Sequence, residues 1–193
     1  MIESNAKEPN GEAAKSRNRR RDLVYRAGMV LQVLGLGALA VLYPMGSPFF
    51  SAGIMVFELG VLIAVVFLLV WISWIKRLLL AAVLLGIPLQ IAGLFAPPDH
   101  AGTIILCGIG LVCVGAAGMA GKEAYCFGWR EGWVLMWSFP VVVLANIFLR
   151  VNPVVNSLLF SSVFLLLLWL TGRKLRQPMP SPFATNRCGP PTI

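Results

Sequence analysis

The chain has 193 residues, 58% of them hydrophobic and only 12% charged, whereas ordinary soluble domains carry roughly a quarter charged residues. A water-soluble fold of this size has no interior large enough for so much apolar surface. Continuous runs such as Val61 to Val70 and Phe164 to Leu170 also lack the alternation of apolar and polar residues that marks a membrane β-barrel strand. The net charge of +8 lies beside the hydrophobic segments, which points to the bilayer as the partner and away from nucleic acid.

A bilayer-spanning helix needs roughly 20 mainly apolar residues, because the hydrocarbon layer is about 30 Å thick and each residue rises about 1.5 Å. Residues 1–26 are polar and rich in arginine, with Lys15, Arg17, Arg19, Arg20, Arg21 and Arg26 ahead of the first apolar run, and are expected to form a disordered cytoplasmic segment. A transmembrane domain follows over 27–172. Its first helix is predicted over Ala27–Tyr43 and is stopped by Pro44 and the turn-forming Gly46-Ser47-Pro48. The second runs over Phe50–Trp71, the third over Leu78–Phe95 up to Pro97-Pro98, and the fourth over Ala101–Gly121. The fifth and sixth are placed over Trp133–Leu149 and Val154–Thr171. Residues 173–193 are basic and then proline-rich, and no packed structure is expected there. The fold class is therefore all-α, a polytopic protein of six transmembrane helices.

Loops rich in lysine and arginine stay in the cytoplasm. With the N-terminus inside, seven of these residues precede the first helix, two separate helices two and three, two separate helices four and five, and four lie in the tail, leaving only Arg150 outside. That split supports the helix count and puts both termini in the cytoplasm. The first helix, with Ala38-Leu39-Ala40 near its end, also has features of a cleavable signal peptide. The long polar segment before it and the further spans after it favour a retained helix. The basic N-terminus suits anionic lipid head groups, at about 1 kcal/mol per residue near the surface, although its topogenic role alone accounts for it.

Ionisable and amide groups inside a bilayer are the first candidates for function. Glu58 lies eight residues into the second helix, roughly 12 Å deep from the outer side, with no lysine or arginine in its own segment. Gln90, Asn146 and Asn156 fall at similar levels in helices three, five and six. Depth matching predicts that Glu58, Gln90, Asn146 and Asn156 converge on one outer polar site. In that reading Glu58 rests protonated and exchanges a proton or binds a cation. The plainer reading is that the amides tie helices together, typically for about 0.6 kcal/mol per hydrogen bond. Pro88 and Pro140 are expected to kink their helices near these levels, as in transporters, but no three-plus-three inverted repeat is found.

The fourth helix is rich in small residues, among them Gly108, Gly115, Ala116, Ala117, Gly118 and Ala120. Such residues let backbones approach closely, so this helix is expected at the bundle centre or at a subunit interface, including one between copies of the chain. The four cysteines, Cys107, Cys113, Cys126 and Cys188, show no CxxC spacing, so neither a disulfide framework nor a zinc site is expected. Cys107 and Cys113, six apart on one helix, fall on different faces and read as packing residues.

The link between helices four and five reads Gly121-Lys122-Glu123-Ala124-Tyr125-Cys126-Phe127-Gly128-Trp129-Arg130-Glu131-Gly132-Trp133. Its aromatics suit the interfacial belt and its mixed charges a solvated turn. Lys122, Glu123, Cys126 and Phe127 are also a candidate motif for docking a partner. On this pattern, Lys-Glu and then Cys-Phe, the chain resembles a family of uncharacterised integral membrane proteins of cyanobacteria and other bacteria, over about residues 23–175. The resemblance implies a place, the bacterial plasma membrane or a thylakoid, rather than a chemistry.

His100, beside Asp99, is the only histidine, too few ligands for haem or a metal. No nucleotide loop, GxSxG elbow or paired-carboxylate motif is present, so no enzyme and no cofactor is expected. Two functions remain, and the lack of a repeat, a filter or several intramembrane charges favours the first. One is a non-catalytic membrane subunit or assembly factor docking through the 122–133 link and the fourth helix. The other is a small solute, ion or proton transporter working through Glu58 and the outer polar cluster.

Overall fold

The computed structural model describes residues 9–68, 73–149 and 152–178, with side chains from residue 19 onward. Six helices follow in order: α1 (Pro9–Leu42), α2 (Phe50–Val66), α3 (Ser73–Leu94), α4 (Pro98–Phe127), α5 (Arg130–Phe148) and α6 (Pro153–Arg176). No strand occurs among the described residues. Five of the helices are long and apolar enough to cross a membrane, α1 from Arg19 onward. The sixth, α2, is apolar and has 17 residues, roughly 26 Å at 1.5 Å per residue, close to the hydrocarbon thickness.

The helix ends follow local chemistry. Pro98 and Pro153 open α4 and α6, where a missing N–H costs nothing. The side chain of Asn152 accepts from the Val154 N–H at 3.0 Å, capping α6. Gly128 closes α4 at φ 67°, a conformation that costs glycine little. Pro88 and Pro140 lie inside α3 and α5, which continue through them.

The structure changes the boundaries at the basic end. Helix α1 begins at Pro9, not Ala27, and Asp22, Tyr25 and Arg26 are buried, so the polar segment expected to be disordered up to residue 26 takes part in the fold from at least Asp22. Helix α4 runs six residues past Gly121, and α6 runs on to Arg176. The expected end of the second helix at Trp71, Arg150, and the tail beyond Pro178 lie outside the described residues.

Helices α1, α2, α4, α5 and α6 form a ring in that order, closed by contact of α6 with α1. Helix α3 stands outside it, packed broadly on α4 and lightly on α2. The tightest contacts use small residues, as expected for α4 but also for α1 against α2. A Cβ on Gly60 would stand 2.6 Å from the Gln32 nitrogen and 2.8 Å from the Gly28 oxygen. Gly86 and Gly108 face each other reciprocally, each leaving room for the other's carbonyl at 2.6 and 2.7 Å from the absent Cβ. With no hydrophobic drive between helices in lipid, such close backbone packing is what holds the bundle together.

Gly60→Ala is expected to lower stability by about 1–3 kcal/mol through overpacking against fixed backbone. Gly102→Ala, which meets nothing within 4 Å, should be neutral or gain up to about 1 kcal/mol by removing a flexible helical residue. Unfolding midpoints in detergent titrations of the two variants check the contrast.

Candidate functional site

At one end of the bundle, where α1 begins and α6 stops, most of the described charges meet. Glu123 on α4 is fully buried. Its Oε1 accepts from the Tyr25 hydroxyl and from Lys122 Nζ, each at 2.8 Å, and its Oε2 accepts from Lys174 Nζ at 2.9 Å. The two ammonium groups also stand over rings, Lys122 5.1 Å from the Tyr25 centroid and Lys174 4.3 Å from that of Phe127. Cation–π contacts of this kind are worth most when desolvated. Beside them Arg26 pairs with Asp22 at 2.8 Å and donates to the Leu175 and Gln177 carbonyls at 3.2 and 3.0 Å, tying α1 to the end of α6. Arg173 pairs with Glu131 and lies 4.7 Å from the Trp129 ring, which stacks on Phe127.

The candidate docking motif is therefore turned largely inward. Glu123 is spent on contacts within the chain, and Lys122 and Phe127 are half-buried around it. Cys126 is disulfide-bonded, which corrects the expectation that no disulfide forms. What the link offers outward is Tyr125 and Arg130, with Trp133 a turn further on.

At the opposite end, where α1–α2, α3–α4 and α5–α6 are joined, Glu58, Asn146 and Asn156 border one cavity and Gln90 does not, and hydrogen bonds do not join all four residues. They form two pairs. Gln90 Nε2 donates to Glu58 Oε1 at 2.5 Å, joining α3 to α2. Asn146 and Asn156 exchange reciprocal amide bonds of 2.8 and 2.7 Å, joining α5 to α6. Asn156 also donates to the Tyr43 hydroxyl at 3.0 Å. The pairs split because α3 lies outside the ring, so Gln90 meets Glu58 on α2 and Gly108 on α4 but hydrogen-bonds to neither asparagine.

Between the pairs is a cavity of about 300 Å³, at the lower end of the range of small-molecule pockets, about 300–1,000 Å³. All five ring helices line it. Its polar groups are Tyr43, Glu58, Asn146 and Asn156, its one thiol is Cys113, and the rest of the wall is aliphatic and aromatic. Gln90 is not part of the wall. Cys113 is buried and Cys107 exposed, as their opposite faces predict. His100 and Asp99 are exposed at the start of α4, and no group of three metal-ligating residues occurs among the described residues.

Sequence reading missed the roles of four residues that carry a signal in the chain. Gln32 is a fully buried amide on α1 that donates to the Gly60 carbonyl at 3.1 Å, and the criterion that selected Gln90 applies to it equally. Asp22 and Arg26 stand four apart, the spacing of a helical ion pair. Tyr43 passed as the last residue of the first helix, although its hydroxyl reaches the asparagine pair.

Replacing Glu123 with glutamine leaves Lys174, whose side chain is 6% exposed, and Lys122, at 15%, without a counter-charge. Breaking a buried pair in this way costs about 3–5 kcal/mol. Glu131→Gln, whose partner Arg173 is 44% exposed, should cost under about 1 kcal/mol. Thermal scans of the two purified variants, read as loss of monodisperse protein, distinguish these outcomes.

No curated protein and no solved structure matches the chain. Residues 63–183, more than half its length and all of α3 to α6, match a family profile described as uncharacterized integral membrane protein. The chain belongs to that family, DUF2301, and is an integral membrane protein.

Proposed function

We propose that this protein binds a small, largely apolar molecule inside the membrane, in the manner of a small transporter or carrier, and carries out no catalysis. The observation that supports this most directly is the cavity of about 300 Å³ walled by five helices, with Tyr43, Glu58, Asn146 and Asn156 on its surface. Close packing leaves few voids larger than a water molecule in protein interiors. A hollow of this size beside the intramembrane polar residues has the form of a binding site, mostly apolar with a few polar groups that set orientation. The concentration of lysine and arginine at the opposite end supports an orientation with both termini in the cytoplasm. The cavity then lies in the outer half of the bilayer. The resemblance carried by Lys122-Glu123 and Cys126-Phe127 favours a bacterial plasma membrane, or a thylakoid in a cyanobacterium.

A second reading, a non-catalytic subunit or assembly factor, retains support from Tyr125, 68% exposed, and Trp133, 45% exposed, which flank the exposed Arg130 at the link. Its test belongs on those side chains, because substitutions at Lys122 and Glu123 disturb the interior. A stoichiometric partner that co-purifies with wild type and is lost with Tyr125→Ala/Arg130→Ala would favour it.

The binding reading is tested by photolabelling the reconstituted protein with an uncharged alkyl diazirine and mapping adducts by peptide mass spectrometry. Adducts are expected on Leu106, Val112 and Val163 of the cavity wall, and Val142→Trp, which fills the cavity, should suppress them. Labelling confined to lipid-facing residues such as Leu84, Leu85 and Leu144 would overturn the reading.

A further inference from the structure

We infer that the cavity takes a lipophilic organic cation, a quaternary ammonium or similar ion, held between Glu58 and a wall of aromatic rings. The inference rests on the binding reading above and goes beyond it in naming the ligand class.

The first observation is the partner that Glu58 lacks. Among the described residues, Asp22, Glu123 and Glu131 each face an arginine or lysine within ion-pair distance. Glu58 faces an amide, Gln90, through one of its two carboxyl oxygens, and no cationic side chain among the described residues pairs with it. An ionised carboxylate inside a bilayer calls for a counter-charge, and the cavity that Glu58 borders has room for one. An anionic ligand is disfavoured by the same carboxyl group.

The second observation is the wall itself. Tyr43, Phe50, Phe57, Phe139 and Phe160 all line the cavity. Tyr43 packs on Phe50 at 5.5 Å and edge-on against Phe160 at 5.4 Å between centroids, and Phe57 lies 6.1 Å from Phe139. Rings on several sides of a desolvated space form the surface that recognises quaternary ammonium groups, because the negative ring faces attract a cation that has shed its water.

The third observation disfavours a hard divalent ion. Hard cations need about six oxygen ligands. Here the two asparagine carbonyl oxygens already accept from each other's amides, and the Tyr43 oxygen accepts from Asn156. Glu58 alone cannot complete such a shell, whereas an organic cation brings its own apolar shell to an apolar wall.

The test uses the full chain in lipid nanodiscs and the diazirine labelling of the cavity wall. Benzyltrimethylammonium is compared with neopentylbenzene, its uncharged carbon isostere, as a protecting ligand. The cation is expected to protect Leu106, Val112 and Val163 at a concentration about tenfold or more below that of the isostere, and Glu58→Gln should abolish that advantage. Glutamine keeps the size of the side chain and an oxygen for Gln90. Cavity labelling in the absence of ligand reports whether the variant is folded. If it is not, Phe139→Leu replaces it and should weaken the cation while leaving the isostere unchanged. Equal protection by both probes, or cation protection unaffected by either variant, would overturn the ligand class and leave the binding reading standing. Labelling that never reaches the cavity wall, with or without ligand, would overturn both.

Discussion

The arrangement at the basic end depends on a carboxylate held wholly out of water. Glu123 receives hydrogen bonds from Tyr25 on α1, Lys122 on its own helix and Lys174 on α6, so one side chain fixes the meeting point of three helices. Removing a charge from water costs several kcal/mol, and two cations with a phenol hydroxyl are what repay it. The cations are kept in place in turn by Tyr25 and Phe127 beneath them. Because α1 and α6 are the first and last helices of the ring, this junction closes the ring as well as its end.

The two ends of the bundle solve different problems with the same residue types. At the basic end, charges and rings interlock until no polar group of Glu123 is left over. Toward the opposite end, glycine contacts such as Gly60 against Gln32 and Gly86 against Gly108 draw α1 to α2 and α3 to α4. The ring formed by the remaining contacts encloses space instead of filling it. The aromatic residues there pack in tilted and edge-on pairs around a hollow. Asn146 and Asn156, bonded to each other, hold α5 to α6 at the rim and leave the wall largely apolar.

The sequence made some of this legible and hid the rest for identifiable reasons. Helix number and order follow from apolar runs long enough to span a bilayer, and the small residues of α4 announced its close packing against its neighbours. The helix ends at the basic side were misjudged because Arg19 to Arg26 and Lys122 to Phe127 read as solvated sequence. Composition does not show that Asp22 pairs with Arg26, or that Lys174 meets a carboxylate 51 residues away in the chain. Depth along a helix brought Glu58 and Gln90 together correctly, as it did Asn146 and Asn156. It gave no angle around the bundle, and that angle separates the two pairs, since nothing in the sequence says that α3 lies outside the ring. The cavity was illegible for the same reason: a void is a property of five helices at once.

The contrast between Glu123 and Glu58 shows where function should be sought in such a chain. Both are glutamates within apolar helices, but Glu123 has two lysines and a tyrosine as partners whereas Glu58 has one neutral amide. A carboxylate whose charge is already balanced by two lysines stabilises a fold and calls for no further cation. A carboxyl group with a single neutral partner, placed against an aromatic hollow, keeps the capacity to exchange what it holds. Under the bilayer's rule that buried charge be balanced, the candidate site is thus the position where the described residues supply a charge and not its complement. Here that position is Glu58.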